Sequence, residues 1–423
     1  MIQFGDIQGN SLVAFGRAQE AVLLWTFDPR ADCRRWVAEL RPLVTSCEEL
    51  LSYFRLEGQL RLSETPVWMC LGLSHAALPL LLPEAVCSTA PQHMRWLEIE
   101  GFALGETPLL PQGVCALAMA VSIVAADSPA ALDYAIVELG NHGKRFGVHC
   151  IAVRKGRRRD PRNPVEVFGF RDGISKPLVL GVPSRGERHL TRARRVQPGE
   201  FILGHANESS PQGYPVADWM RGGTFLAYAR FAQDARAFDK HTAGLAASVR
   251  EAGYAGVSDE YAAAMVMGRW RDGTPVDVSS SDGRWRGDED AFGYGVPGTA
   301  QRKPPLTLCP FTAHALRANP RNLLSEIEGP ESEGRHRILR RGMVYEAPES
   351  DQEGLLFLCY QASIRQQFDW ILRRWCLSPN FPVFGGGLDG LLADLAKPAI
   401  VGAVAAIESG YFFVPSRSTI ASI

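Results

Sequence analysis

The sequence predicts an α+β protein built from two similar units, each an antiparallel sheet with helices on one face. Three observations predict it. Apolar strands and amphipathic helices follow one another in a βαββαβ-type order through the first part. The second part repeats the pattern of an aromatic strand, an Asp turn and a helix. The composition is that of an ordinary globular chain, with 423 residues, 46% of them apolar and 22% charged. At roughly 100–200 residues per domain, this length suits two domains or one large one.

The elements follow in order. Ala21–Asp28 (AVLLWTFD) reads as a strand, and Asp32–Tyr53 carries helical spacing through Trp36, Leu40, Leu43 and Cys47. Val67–Ser74 is a second strand, followed by a short helix over His75–Leu82. A loop rich in Pro and Gly spans Gly101–Gly113. Val114–Ala126 is a strand, Ser128–Leu139 a helix opened by Ser-Pro, and Val148–Gly156 a strand. With a split in one of the apolar pieces between Trp96 and Ala126, the order is βαββαβ, which suits an antiparallel sheet. In the second part, Gly223–Asp234 is a strand, Ala235 to about Arg250 a helix, Gly354–Ser363 a strand, Ile364–Trp375 a helix and Tyr411–Ser416 a strand. AYARFAQDARAF matches LLWTFDPRADCRRW in pattern, not in a strict period, which marks a weak internal duplication. Pro161–Gln212 and Val276–Pro310 are too long for plain connectors and too varied for low complexity. They read as ordered, site-forming loops.

Charge and cysteine usage exclude several classes. Lys plus Arg is 45 against 46 Asp plus Glu, a net charge of −1, so nothing draws the chain to nucleic acid or an anionic membrane. The basic run Arg154–Lys155–Gly156–Arg157–Arg158–Arg159 is the local exception and reads as a solvated loop. No stretch of about 18 apolar residues predicts a transmembrane helix. The N-terminus lacks the basic head and apolar core of a secretory signal, so a cytoplasmic location is expected. The nine cysteines are odd in number and scattered, with no CxxC, which argues against a disulfide scaffold and the usual zinc site. Cys70, Cys115, Cys150 and Cys359 sit in apolar runs and read as small buried hydrophobes. No strand–GxGxxG–helix unit supports a nucleotide cofactor.

Four segments hold residues that could carry chemistry. In FGFRDGISKP, Gly169 and Gly173 bracket Asp172. This is either a plain Asp-Gly turn or a device that brings a carboxylate close to a planar ligand. In CPFTAHALRANPRN, His314 stands among apolar neighbours. It is either a core histidine or the single ligand that a five-coordinate haem iron needs. In HRILRRGMVYEAP, Arg340 and Arg341 stand at a strand entrance, where arginines are usually solvated or salt-bridged. In GLLFLCYQ, Leu355 and Phe357 share one face of a strand and serve either core packing or a porphyrin-facing wall.

Together these pieces resemble the dye-decolourising peroxidases. The matching blocks are DIQGN at Asp6–Asn10, GFRDG at Gly169–Gly173, CPFTAH at Cys309–His314, NPR at Asn319–Arg321, LRRG at Leu339–Gly342, GLLFLCYQASI at Gly354–Ile364 and GYFFVPS at Gly410–Ser416. The pattern looks most like the longer bacterial branch, which resembles the fungal enzymes. The resemblance implies two ferredoxin-like units of the dimeric α+β barrel type, over 1–165 and 166–423, with haem b in the C-terminal one. It implies a haem peroxidase that reduces H2O2 to water through a ferryl intermediate and oxidises dyes, phenols or other aromatic donors, as a monomer or homodimer. A haem-binding or haem-delivery protein with little turnover is the alternative.

The resemblance also assigns roles. Asp172 falls on the distal acid–base residue, Arg340 on the distal arginine and His314 on the proximal iron ligand. Arg321 falls on a propionate contact, and Leu355 and Phe357 on the distal haem wall. Asp389 is the best candidate for the carboxylate that accepts the His314 N–H, with Asp369 next. Two departures stand out. The basic residue expected two positions after the ligand is lost, or shifted to Arg317. Met343–Val344–Tyr345–Glu346 replaces the usual Ile-Pro-Tyr-Gly.

Overall fold

The computed structural model describes residues 2–57, 66–82, 109–158, 164–183, 195–276, 310–321, 334–347, 352–396 and 401–423, with residues 292, 323, 324, 329 and 332 besides. The strands among them are β1 (Gln19–Phe27), β2 (Trp68–Leu73), β3 (Ala120–Ala126), β4 (Val148–Arg157), β5 (Leu178–Val179), β6 (Arg195–Val196), β7 (Thr224–Gln233), β8 (Leu339–Arg340), β9 (Met343–Ala347), β10 (Gln352–Gln361) and β11 (Val404–Val414).

Two four-stranded antiparallel sheets organise the chain. In the first the spatial order is β4-β1-β3-β2, and in the second it is β11-β7-β10-β9. Numbered within its own unit, each reads 4-1-3-2, the order of a ferredoxin-like unit. The two sheets meet edge to edge. β4 joins β9 through Arg157 and Val344, and β11 joins β2 through Phe413 and Leu73. Eight strands therefore close into a barrel, which leaves no long bare edge to recruit another chain. β8 extends the β9 edge along β10, and β5 and β6 form a small parallel pair.

Period-two alternation divides the apolar residues between the barrel interior and its outer faces. Val22, Leu24, Leu356, Leu358, Tyr360 and Phe412 pack inside. Leu23, Trp25 and Leu71 face outward under the N-terminal helices, where Trp25 and Trp36 are fully buried with ring centroids 5.5 Å apart. Each such side chain stabilises the fold by roughly 2–3 kcal/mol. On the C-terminal sheet the outward residues Ala227, Ala229 and Cys359 pack against Leu316, Ile371 and Leu372. The candidate site lies on this outer face.

The structure differs from the sequence reading at several elements. The expected helix Asp32–Tyr53 is two helices, Cys33–Leu40 and Cys47–Glu57. Pro42 sits in the turn between them, and Ser46 and Glu49 cap the second reciprocally, at 3.1 and 2.6 Å. Only Ala120–Ala126 of the strand expected from Val114 is extended, because Gly113–Leu117 makes a 3-10 turn. The order βαββαβ is complete without any split; residues 96–108 lie outside the described set. The basic run is no solvated loop up to Arg157, because it continues β4. Arg154 makes two bonds to the buried Glu408 at 2.8 and 3.0 Å, and Arg157 pairs with Glu346. The helix expected over Ile364–Trp375 is wound in wide π-type turns over Ile364–Phe368 and Ile371–Cys376. The loop Val276–Pro310 lies outside the described residues except at Val276, Phe292 and Pro310.

Candidate active site

The Asp172 loop is built on two aromatic anchors. Phe168 and Phe170 are buried against Phe238, the first stacked on it at 4.6 Å. Glu166 accepts their N–H groups at 3.0 and 2.9 Å. Burial pushes this carboxyl up to about 7, although the two N–H groups oppose the rise. Asp172 donates its own N–H to Pro164 O, and Gly169 and Gly173 have φ of +84° and +78°. A Cβ at Gly169 would come within 2.8 Å of the Arg271 guanidinium. With its neighbours anchored inward, the Asp172 side chain is left exposed to a cavity of about 290 Å³.

His314 lines the same cavity. It opens a one-turn helix, His314–Arg317. Its Nδ1 lies 2.9 Å from Oδ2 of Asp389, which is fully buried and whose Oδ1 accepts the N–H groups of Leu391 and Leu392 at 2.9 and 3.1 Å. A carboxylate can only accept, so Nδ1 carries the hydrogen and Nε2 keeps its lone pair. Nε2 has no protein partner among the described residues.

Arg340, Arg321, Leu355 and Phe357 complete the predicted wall. Arg340 is exposed to the cavity and donates to Ser175 O at 3.3 Å. Arg321 donates to Ala315 O, Asn319 O and Ser175 Oγ, and its guanidinium lies 4.1 Å from the Phe292 ring centroid. Leu355 and Phe357 alternate on β10 with the interior-facing Leu356 and Leu358.

A family model described as "Dyp-type peroxidase, C-terminal" matches residues 265–381. A dye-decolorizing peroxidase of Mycetinis scorodonius is 28% identical over 303 residues, covering 61% of this chain and 56% of that protein. A multifunctional dye peroxidase of Amycolatopsis is 29% identical over 235 residues, covering 52% and 47%. This chain therefore spans about half the length of these curated relatives. A relative from Exidia glandulosa is 25% identical over 411 residues, covering 90% of this chain and 75% of its own. The structure of an ancestral D-type dye decolorizing peroxidase superposes with a TM-score of 0.78 at 23% identity, covering 99% of this chain and 98% of its own.

Over residues 265–381 the chain matches the C-terminal model of the dye-decolourising peroxidases, and over most of its length it is similar to curated proteins of that name. The structural likeness gives the α+β ferredoxin-like fold, and the similarity implies a haem cofactor.

The residues present fit a haem. His314 Nε2 offers an electron pair, Leu355, Phe357, Phe368, Ile371 and Leu372 give apolar walls, and Arg269, Arg321 and Arg337 bring cations that suit carboxylate side arms. Arg269 and Arg337 were not singled out from the sequence. Nor was Glu166, although a carboxylate just ahead of a tight turn is a readable signal for an N–H acceptor. His336 also lines the cavity, stacked on Trp370 at 4.7 Å, with Nδ1 bonded to Gln366 O. Burial pushes its pKa down to about 4.

Two neighbouring sequence positions lie away from the cavity. Arg317 is fully buried and spends its N–H groups on five backbone carbonyls, so it does not replace the missing basic residue as a propionate contact. Asp369 accepts the Tyr411 O–H at 2.6 Å and lies near Arg373 instead of His314.

Proposed function

We propose that this chain is a cytoplasmic haem peroxidase, working as a monomer or homodimer, that reduces H2O2 to water and oxidises dyes, phenols or other aromatic donors. Haem b is the cofactor in this reading. One observation carries it: His314, held from behind by Asp389, lines one cavity together with Asp172 and Arg340. A haem-delivery protein needs neither a proton acceptor nor a cation at that place. The seven described cysteines are all free, which supports a reducing compartment. No helix among the described residues is long and apolar enough to cross a membrane.

When bound, the haem supplies an iron that takes up the peroxide and accepts and returns electrons. The protein supplies the rest. His314 would hold the iron through the lone pair of Nε2, and the hydrogen bond from Nδ1 to Asp389 would raise its donor strength. Asp172 takes the proton from one peroxide oxygen and returns it to the other, which then leaves as water. Arg340 cannot lose its proton and stabilises the negative charge that develops on the leaving oxygen. Leu355 and Phe357 keep the reacting face apolar and exclude surplus water. Arg269, Arg321 and Arg337, which line the cavity, would hold the haem carboxylates.

His314→Ala tests the ligand. The expected result is loss of haem or a shifted Soret band, and a normal five-coordinate spectrum in this variant would transfer the assignment to His336. Asp172→Asn tests the proton step. It should keep its haem and react with H2O2 about 10²–10⁴-fold more slowly in stopped flow. A wild-type rate would remove Asp172 from that role.

A further inference from the structure

A second, smaller cavity of about 100 Å³ lies against the Asp172 loop. Asp172, Gly173, Ser175 and Arg340 line both cavities. The smaller one reaches back to Glu20 at the start of β1. Glu20 is only 6% exposed, and its Oε1 has no hydrogen-bond partner. A buried acceptor in a polar cavity is a place for water, and this volume holds about three molecules. We propose that these waters form a proton relay in which Glu20, as a protonated carboxyl group, supplies protons to Asp172.

The surroundings of Glu20 suit that task. Burial pushes its pKa up to about 8, against the pull of Arg158 and Arg341, so it holds a proton at neutral pH. Cys70 and Tyr360, also close to it, are pushed upward by burial and stay neutral. Across the cavity stand Arg157, Lys176, Glu166, Arg340 and Asp172. Arg341 is tied to Asn10 O, Leu12 O and Arg340 O, and so is a fixed charge.

The chemistry requires such a supply. This inference rests on the peroxidase reading, in which H2O2 plus two electrons and two protons gives two waters. The Glu20 O–H bond breaks, the proton passes along the waters, and an O–H bond forms on Asp172. The carboxylate left on Glu20 is stabilised by Arg158 and Arg341 until solvent returns its proton.

The test uses the haem-loaded protein with H2O2 and ferrocyanide, a donor that gives electrons without protons. Glu20→Gln keeps the side-chain size but cannot release a proton in the same way. Its kcat should fall by at least about tenfold with a larger solvent isotope effect, while the first reaction with H2O2 stays within about twofold of wild type. One infrared C=O band of a protonated carboxyl, shifted in D2O, should be present in the wild-type apoprotein at pH 7 and lost in Glu20→Gln, while the bands of Glu166 and Glu200 remain in both. Ala14→Leu narrows the same cavity from another wall and should slow turnover while keeping that band, which preserves the test should Glu20→Gln fail to fold. Wild-type turnover and isotope effect in either variant, or no Glu20 band at pH 7, would overturn the relay alone. A haem-loaded wild type that does not consume H2O2 would overturn the peroxidase reading and the relay with it.

Discussion

At the scale of single residues, Asp389 shows how little freedom the site leaves. It accepts from His314 Nδ1 and from two backbone N–H groups while fully buried. The Cys376 thiol beside it is pushed well above its usual range by burial and by this carboxylate. An asparagine there must turn its NH2 either toward His314 or toward the Leu391 and Leu392 N–H groups, so one donor meets another. If it faces His314, the ring prefers the tautomer whose hydrogen is on Nε2, and the iron loses its electron pair. Asp389→Asn should therefore bind haem about 10–100-fold more weakly, read by titrating the apoprotein with haem. Unchanged affinity would mean that Asp389 does not set the tautomer.

At the scale of elements, the His314 helix and the segment that carries Asp389 are held together by Arg317. Its five bonds run to the carbonyls of Phe311, Trp375, Ser378, Gly386 and Gly387. A single fork thus joins both sides of the proximal wall. Arg317→Leu would strand five acceptors and should cost on the order of 3–5 kcal/mol, read as a lowered urea midpoint and poorer haem retention. Lysine should not rescue it, because one ammonium cannot reach five carbonyls. At the edge between the two sheets, Val344 pairs with Arg157 of β4 and Leu355 of β10. A proline in its place, as the resemblance leads one to expect, would have no N–H for a strand.

At the scale of the whole molecule, the buried carboxyls set how stability depends on pH. Glu20 is pushed up to about 8, and Glu166 and Glu200 to about 7, each chiefly by burial. The folded state therefore binds more protons than the unfolded one between about pH 4.5 and 8, and stability is lost as pH rises through that window. His336, pushed down to about 4 by burial, acts oppositely, and its contribution is lost as pH falls from about 6.5 to 4. The three carboxyls outweigh the one histidine. The melting temperature should be higher at pH 5.5 than at pH 8.5. Equal melting temperatures at the two values would show that these carboxyls are not held neutral.

The sequence by itself determined the fold class, most strands and the residues that meet at the cavity. Apolar alternation in β1, β7 and β10 is written locally, and Asp172, His314 and Arg340 lie in short blocks that point to a site only when taken together and in order. The break at Pro42 and the caps at Ser46 and Ser128 are equally local, although the apolar spacing runs straight through the first and reads as one helix. Tertiary structure alone decided what these residues touch. Arg317 and Arg340 look alike in sequence, but one is buried on five carbonyls and the other faces the cavity. The run from Arg154 reads as solvated because the partner of Arg154, Glu408, lies 254 positions away. Glu20 is an ordinary acid in the sequence. Closure of the barrel around it takes it out of bulk solvent and raises its pKa, since desolvation depends on everything packed nearby and not on neighbours in the chain.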